Sequence, residues 1–253
     1  MPTFQHVTYS CILEGMTSIS ALIHGRDNLQ NDRQIFAILV DQSKKRGKYR
    51  EIGYLKSMSV PHQFEILFVP GTDIDKLTQG DTHGGIIALC GERAFKDCHD
   101  LNSNGFWVLA DGIEDPYNLG FMIRSLYAAG VDGILLPPNN RMCAPGIVAK
   151  SSAGTSELLD IRVDDPESAI ALFKKVGYRI ICAGIRDSRS IYDADLKKPL
   201  LLVVGGEKRG ISRAVLDQAD QIVRIDYGRM FNGSLSAASA ATVIAFEVLH
   251  QNQ

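Results

Sequence analysis

Three short stretches of this chain combine residue types that could do chemistry. The first, Asp115-Pro116-Tyr117-Asn118-Leu119-Gly120-Phe121-Met122-Ile123-Arg124, sets a carboxylate, a carboxamide and a guanidinium on a turn that runs into a helix. Taken singly these have ordinary uses: Asn118, near the helix start, can cap a free N–H. Arg124, at the edge of the apolar stripe, can extend to water. The second, Gly205-Gly206-Glu207-Lys208-Arg209-Gly210-Ile211, directly follows an apolar run. Its glycines allow close backbone approach to a ligand, and free N–H groups at a following helix start can meet polar atoms. No Gly-Lys-Ser/Thr follows and the GxGxxG spacing is missing, so neither a triphosphate nor a dinucleotide site is expected. The third, Asn232-Gly233-Ser234-Leu235-Ser236-Ala237-Ala238-Ser239-Ala240-Ala241-Thr242, is a turn and a helix start crowded with small residues, which suits tight packing. A serine nucleophile is not indicated, because there is no GxSxG elbow and no histidine in a supporting position.

These stretches need strands and helices to position them. Phe106 to Ala110, Ile134 to Leu136, Tyr178 to Cys182, Leu200 to Val204 and Gln221 to Ile225 read as strands. Between them Leu119, Met122, Ile123 and Leu126 recur at helical spacing. Asp165 and Pro166 form a cap and first-turn pair for a helix that buries Ile170 and Phe173 and stops at Gly177. Ile211 to Leu216 and Leu235 to His250 complete the helices. Strands alternating with helices imply a mostly parallel α/β sheet covered on both faces, with ligands at the carboxyl ends of its strands. The earlier part of the chain gives a helix over Thr17 to His24 stopped by Gly25, strands at Ile35 to Val40, Phe64 to Val69 and Gly85 to Cys90, and a helix with Ile52 and Leu55 on one face. That is a small α/β domain. Residues 1–95 form this domain, the polar stretch 96–104 is the linker, and 105–253 form the larger domain.

Composition narrows the function classes. The chain has 253 residues, enough for two domains with a buried core, and the apolar and charged fractions of a globular protein. No apolar run reaches membrane-spanning length. The start, Met1 to His6, lacks the pattern of a secretory signal, so a cytoplasmic location is expected. Cys11, Cys90, Cys98, Cys143 and Cys182 are scattered, and none is spaced as a zinc ligand with another cysteine or with His6, His24, His62, His83, His99 or His250; no metal is expected. A net charge of −2 argues against electrostatic coating of nucleic acid but leaves room for local patches. The densest is Lys44-Lys45-Arg46-Gly47-Lys48-Tyr49-Arg50, which could equally be a solvated loop.

In their order and separation the three stretches resemble the three motifs of the SpoU/TrmH family of RNA ribose methyltransferases, within the SPOUT class. Asp115, Pro116, Asn118, Gly120 and Arg124 match the first motif; Gly205, Glu207 and Gly210 match the second; Ile225, Ser234 and Leu235 match the third. Two positions of the third motif depart: Asp226 stands where the family has proline and Ser236 where it has asparagine. Ser152-Ala153-Gly154 resembles the family's Ser-Ala-Gly. Leu13-Glu14-Gly15 and Thr82 to Ala88 resemble the ribosomal-protein-like substrate-binding domain that several members carry.

The resemblance implies a parallel sheet with a C-terminal trefoil knot, a homodimer formed through the knotted domain, and S-adenosylmethionine as methyl donor. It implies cofactor contacts at Ala183, Gly184, Gly205, Gly206, Ile225, Ser234 and Leu235, and catalytic roles for Arg124, Asn118, Glu207 and Ser234. A guanidinium stays protonated, so Arg124 is better suited to gripping a phosphate and stabilising a developing alkoxide than to acting as a base. Asn118 and Glu207 would orient Arg124 or the substrate. Lys44, Lys45, Arg46, Lys48, Arg50, Lys208 and Arg209, with Arg213, become candidate RNA phosphate contacts. The expected activity is 2′-O-methylation of a ribose in structured RNA. Ribosomal RNA is favoured over transfer RNA because of the first domain, and an RNA-binding or assembly protein with weakened catalysis is the alternative that Ser236 motivates. A nicotinamide-dependent dehydrogenase loses for want of the glycine fingerprint.

Overall fold

A computed structural model describes residues 9–28, 31–78, 82–140 and 144–253. The N-terminal hexapeptide, with His6, and Cys143 lie outside the described residues. The chain divides into two compact units: residues 1–94 with 144–158, and residues 95–143 with 159–253.

The first unit is a four-stranded sheet in the order β1-β4-β2-β3, built from β1 (Cys11–Glu14), β2 (Ile35–Asp41), β3 (Glu65–Val69) and β4 (Ile86–Cys90). β4 runs antiparallel to β1 and β2, and β3 parallel to β2. Helices α1 (Gly15–Asp27), α2 (Tyr49–His62) and α3 (Gly71–Asp75) accompany it. The run Ile35 to Val40 forms the expected central strand because it is buried from both sides. Gly25 does not end α1 as the sequence suggests. It lies inside the helix, where a Cβ would stand 2.0 Å from the carbonyl oxygen of Glu157. The residue is glycine so that residues 144–158 can press against the helix. This segment carries α5 (Pro145–Ser151) and a short 3-10 turn, and it sends Ala149 into the first unit's core. It is anchored by Arg33 Nε to Glu157 Oε2 at 3.1 Å and by Lys150 Nζ to Glu14 Oε2 at 2.6 Å.

The second unit is a seven-stranded sheet in the order β7-β6-β5-β10-β8-β11-β9, and every pair in it is parallel. Its strands are β5 (Phe106–Asp111), β6 (Gly133–Leu136), β7 (Asp160–Val163), β8 (Arg179–Ala183), β9 (Arg189–Ser190), β10 (Leu200–Gly205) and β11 (Gln221–Arg224). Helices α4 (Pro116–Ala128), α6 (Pro166–Lys175), α7 (Arg213–Leu216) and α8 (Ala237–Gln251) connect and flank them. Leu119, Met122, Ile123 and Leu126 are the buried face of α4, as their spacing requires. The cap of α6 is Asp165, which accepts from Ser168 N–H at 3.0 Å, and Gly177 follows its end with φ +93°. Residues 95–104 pack within this unit: Arg162 Nη1 donates to the Asp97 carbonyl at 2.9 Å and pairs with Asp100, while its guanidinium lies 5.1 Å from the Trp107 ring centroid. Among the described residues no helix is long and apolar enough to cross a membrane.

Candidate active site

Because β5, β10, β8 and β11 are adjacent and parallel, their carboxyl ends share one edge of the sheet. That edge gathers Asp111, Gly205, Ala183 and Arg224, and each strand delivers its motif residues just beyond it. Gly205 stands opposite Asp111 in register. Gly206 N–H donates to the Asp111 carbonyl at 2.7 Å, and Ser212 N–H to the Asp111 side chain at 3.3 Å. The loops after β5 and β10 are thereby joined through one aspartate.

The glycines of this loop serve the join. A Cβ on Gly206 would lie 2.0 Å from Gly112 O, and one on Gly205 would lie 2.4 Å from the Gly210 carbonyl carbon. Gly210 N–H then closes a tight turn on Gly206 O at 2.9 Å, with Gly210 at φ +65°. Chain meets chain here, where the sequence suggested chain meeting ligand. The turn displays Glu207, Lys208 and Arg209, all exposed.

The expected cap of α4 also shifts. Asp115 caps the helix, accepting from Asn118 N–H at 2.8 Å, and Pro116 takes the first turn. With its own N–H satisfied from behind, Asn118 is free to send its side chain across to the second loop, where Nδ2 donates to Glu207 Oε1 at 3.3 Å. Lys208 Nζ meets Glu114 Oε2 at 3.0 Å between the same loops. A cavity of about 240 Å³ opens there, lined by residues 112–115, Asn118, Glu207, Lys208 and Ala237. Motif residues from the first and second stretches, far apart in sequence, thus form one wall.

Other expected residues are placed differently. Arg124 is exposed on α4, with no hydrogen bond or ion pair among the described residues. Six helical residues separate it from Asn118, which amounts to about 9 Å of rise and about 120° of rotation. It does not touch Asn118 or Glu207. It shares a stripe with Tyr117 and Phe121, each half exposed. Ala183, Gly184 and Ile225 stand at the carboxyl ends of β8 and β11 beside Gly205, outside the cavity lining. Gly184 N–H is taken by Val223 O at 2.9 Å. Ser234 and Leu235 are exposed in the loop before α8.

The two departures in the third stretch have local explanations. Ser236 caps α8 by accepting from Ser239 N–H at 3.2 Å. Serine and asparagine cap about equally well, so this exchange preserves the helix start. Asp226 is held below the usual carboxylate range by a hydrogen bond to Ser190 and by the Arg224 guanidinium, whose Nε lies 2.8 Å from its Oδ1.

Glu114 and Ile113 fall outside the three stretches, whereas Ala237 falls within the third. Glu114 directly precedes the motif that begins at Asp115, and nothing local signals that Lys208 will meet it. The wall-forming Ala237 carried a signal, the small-residue helix start.

In the first unit, the basic run begins in a 3-10 turn (Gln42–Lys44) and ends in the first turn of α2. Lys48 pairs with Glu51 at 3.0 Å, Arg50 Nε donates to Tyr49 Oη at 2.9 Å, and Lys45 Nζ lies 4.6 Å from the Phe68 ring centroid. Lys44 lies along Gly85, where a Cβ would stand 2.7 Å from its Cδ. Among the described residues no ion pair links Lys44, Lys45, Arg46 or Arg209 to a carboxylate, whereas Arg213 is paired with Asp217 at 2.9 Å.

Comparison with known proteins fits this geometry. The model of the SpoU rRNA Methylase family matches residues 105–246. A Staphylococcus haemolyticus protein assigned to the TrmH family of tRNA/rRNA methyltransferases is 31% identical over 188 residues, covering 71% of this chain and 75% of that protein. A 23S rRNA (guanosine-2'-O-)-methyltransferase of Shewanella oneidensis is 28% identical, covering 71% of this chain and 76% of its own length. The fold is shared with an S-adenosylmethionine-bound rRNA methyltransferase from Sinorhizobium meliloti, with a TM-score of 0.78 at 21% identity over 94% of this chain and 86% of that one.

Proposed function

The chain belongs to the SpoU rRNA Methylase family, and from that membership we propose that it transfers a methyl group from S-adenosylmethionine to a ribose 2′-hydroxyl of structured RNA, with ribosomal RNA the substrate class. The observation that carries the reading is the meeting of Asn118 and Glu207 at 3.3 Å, in the wall of a cavity at the carboxyl edge of a parallel sheet.

The residues present suit the cofactor. The cavity wall carries the carboxylates of Glu114, Asp115 and Glu207 against one ammonium, Lys208, a balance that favours a cationic sulfonium, and Ile113 and Ala237 add apolar surface. Bound there and along the ends of β8, β10 and β11, S-adenosylmethionine supplies an electrophilic methyl group. The chain's part is to place a ribose oxygen in line with it and to stabilise charge as the hydroxyl loses its proton. Asn118 and Glu207 hold one another and leave acceptor and donor positions for the ribose. Lys208 and Arg209 stand beside them for the adjacent phosphate.

Arg124 completes the site from a second copy of the chain. Its distance and rotation from Asn118, and its place on an exposed stripe with Tyr117 and Phe121, support a homodimer in which α4 of one protomer serves the cavity of the other. Hybrid dimers test this: chains with Arg124→Lys and chains with Glu207→Gln, each inactive alone, should regain about a quarter of wild-type activity when refolded together, since each hybrid has one intact site. No recovery means that Arg124 acts within its own chain.

RNA reaches the first unit through Lys44, Lys45 and Arg46, with Lys48 and Arg50 at the margin. Neutralising the first three together should weaken RNA binding and reduce its salt slope by about three. An unchanged slope would remove the patch from the account. A cytoplasmic location suits an RNA-methylating role.

A further inference from the structure

We propose that Tyr227 and Phe231, in the loop between β11 and α8, form a platform on which the base of the nucleotide being methylated stacks; the proposal rests on the RNA methyltransferase reading above. The two rings lie 5.8 Å apart between centroids at an interplanar angle of 54°, and both face solvent, with Tyr227 40% and Phe231 58% exposed. Two neighbouring rings open at the surface offer π-faces to a planar ligand.

The loop is built around the rings. Leu235 N–H donates to Tyr227 Oη at 3.1 Å, fixing the phenol. Gly233 lies against the other ring, where a Cβ would stand 2.6 Å from Phe231 Cζ. Any other residue at that position would push the ring away. Both braces lead directly to the active site: Leu235 is followed by Ser236, which caps α8, and then by Ala237, which lines the cavity beside Asn118 and Glu207. The loop's two charged residues are Asp226, neutralised by Arg224, and Arg229, which is exposed. The platform therefore carries a net positive charge, suited to a phosphodiester next to the stacked base.

The occupant follows from the reaction. Specific recognition of structured RNA falls mostly on loops, bulges and ends, and a nucleotide held there with its ribose in line with the methyl donor has a base without its stacking neighbours. Aromatic side chains replace such neighbours for any base, because every base offers a flat face.

Two hexaribonucleotides test the proposal with the full chain saturated in S-adenosylmethionine, one with 2-aminopurine at its centre and one with an abasic site there. The wild type should quench the 2-aminopurine and bind it about tenfold more tightly than the abasic strand. Phe231→Leu and Tyr227→Leu keep apolar bulk but should lose both the quenching and the preference, at unchanged affinity for the abasic strand. Phe231→Trp should keep both. A wild type without preference, or leucine variants that retain it, overturns the platform. So does a pair of leucine variants that sediment as monomers with the preference intact, which would make the rings a contact between copies. Methyl transfer to RNA by the wild type is measured separately: base preference without transfer removes the catalytic reading, and transfer without base preference removes the platform.

Discussion

Two glutamates, one in each unit, reach partners distant in sequence and are treated in opposite ways. Glu157 is fully buried in the first unit and accepts from Arg33 Nε at 3.1 Å, Asn31 Nδ2 at 2.6 Å and Ser156 Oγ at 3.4 Å. Burial works most strongly against the Arg33 charge, but the groups around it, the Glu157 carboxylate foremost, together more than offset it, so the guanidinium is held protonated above its ordinary range. Arg33 is itself satisfied further by the Gly91 carbonyl at 2.8 Å. Glu207 in the second unit is exposed and, among the described residues, accepts one side-chain bond, from Asn118 at 3.3 Å. A carboxylate whose acceptor sites are filled from within fastens chain to chain. One with most of its sites open, on the lip of a cavity, has capacity left for a ligand. The same side chain is structural in one setting and functional in the other, and its unspent hydrogen bonds mark the difference.

Substitution should separate the two roles cleanly. Glu157→Ala leaves the Arg33 guanidinium buried without its partner, and the expected loss is about 3–5 kcal/mol of stability, measured by urea denaturation. Glu207→Ala should stay within about 0.5 kcal/mol of wild type in the same experiment, as an exposed site does. Comparable losses in both would erase the distinction. Next in size, Gly206→Ala must displace the Gly112 carbonyl, at about 1–3 kcal/mol, and should lower activity by spreading the loops that carry Asn118 and Glu207; a shift in urea midpoint with unchanged turnover would show that the two loops are not coupled. Smaller still, Ser236→Ala should cost about 1 kcal/mol through loss of the α8 cap, while Ser236→Asn should be close to neutral. Equal thermal midpoints for the two variants would mean that the cap contributes nothing.

The comparison also shows what the residues disclosed before folding. Runs such as Ile35 to Val40, Phe106 to Ala110 and Leu200 to Val204 announced their strands because continuous apolar stretches of that length have few other uses. The short strands β1 and β7 and helix α5 did not. β7 carries Arg162, whose place in a buried strand makes sense only once Asp100, Asp160 and the Trp107 ring surround it. Gly25 read as a helix stop because its reason, the Glu157 backbone, comes from 132 positions later in the chain. In the site, motif spacing identified Asn118 and Glu207, but their contact joins residues 89 apart and depends on Asp115 taking over the cap. The outward turn of Arg124 follows from helical rotation and is implicit in its spacing from Asn118. The family pattern, which groups the three residues, hides it.

The central claim is that Glu207 belongs to a ribose-methylating site, and one measurement addresses it directly. RNA from cells lacking the gene is incubated with methyl-labelled S-adenosylmethionine and the protein, digested to nucleosides and separated, for wild type, Glu207→Gln and Arg124→Lys. The wild type should place label on a 2′-O-methylated nucleoside, with both variants reduced on the order of a hundredfold while remaining folded. Label on a base, no transfer by the wild type, or full transfer by both variants would contradict the account.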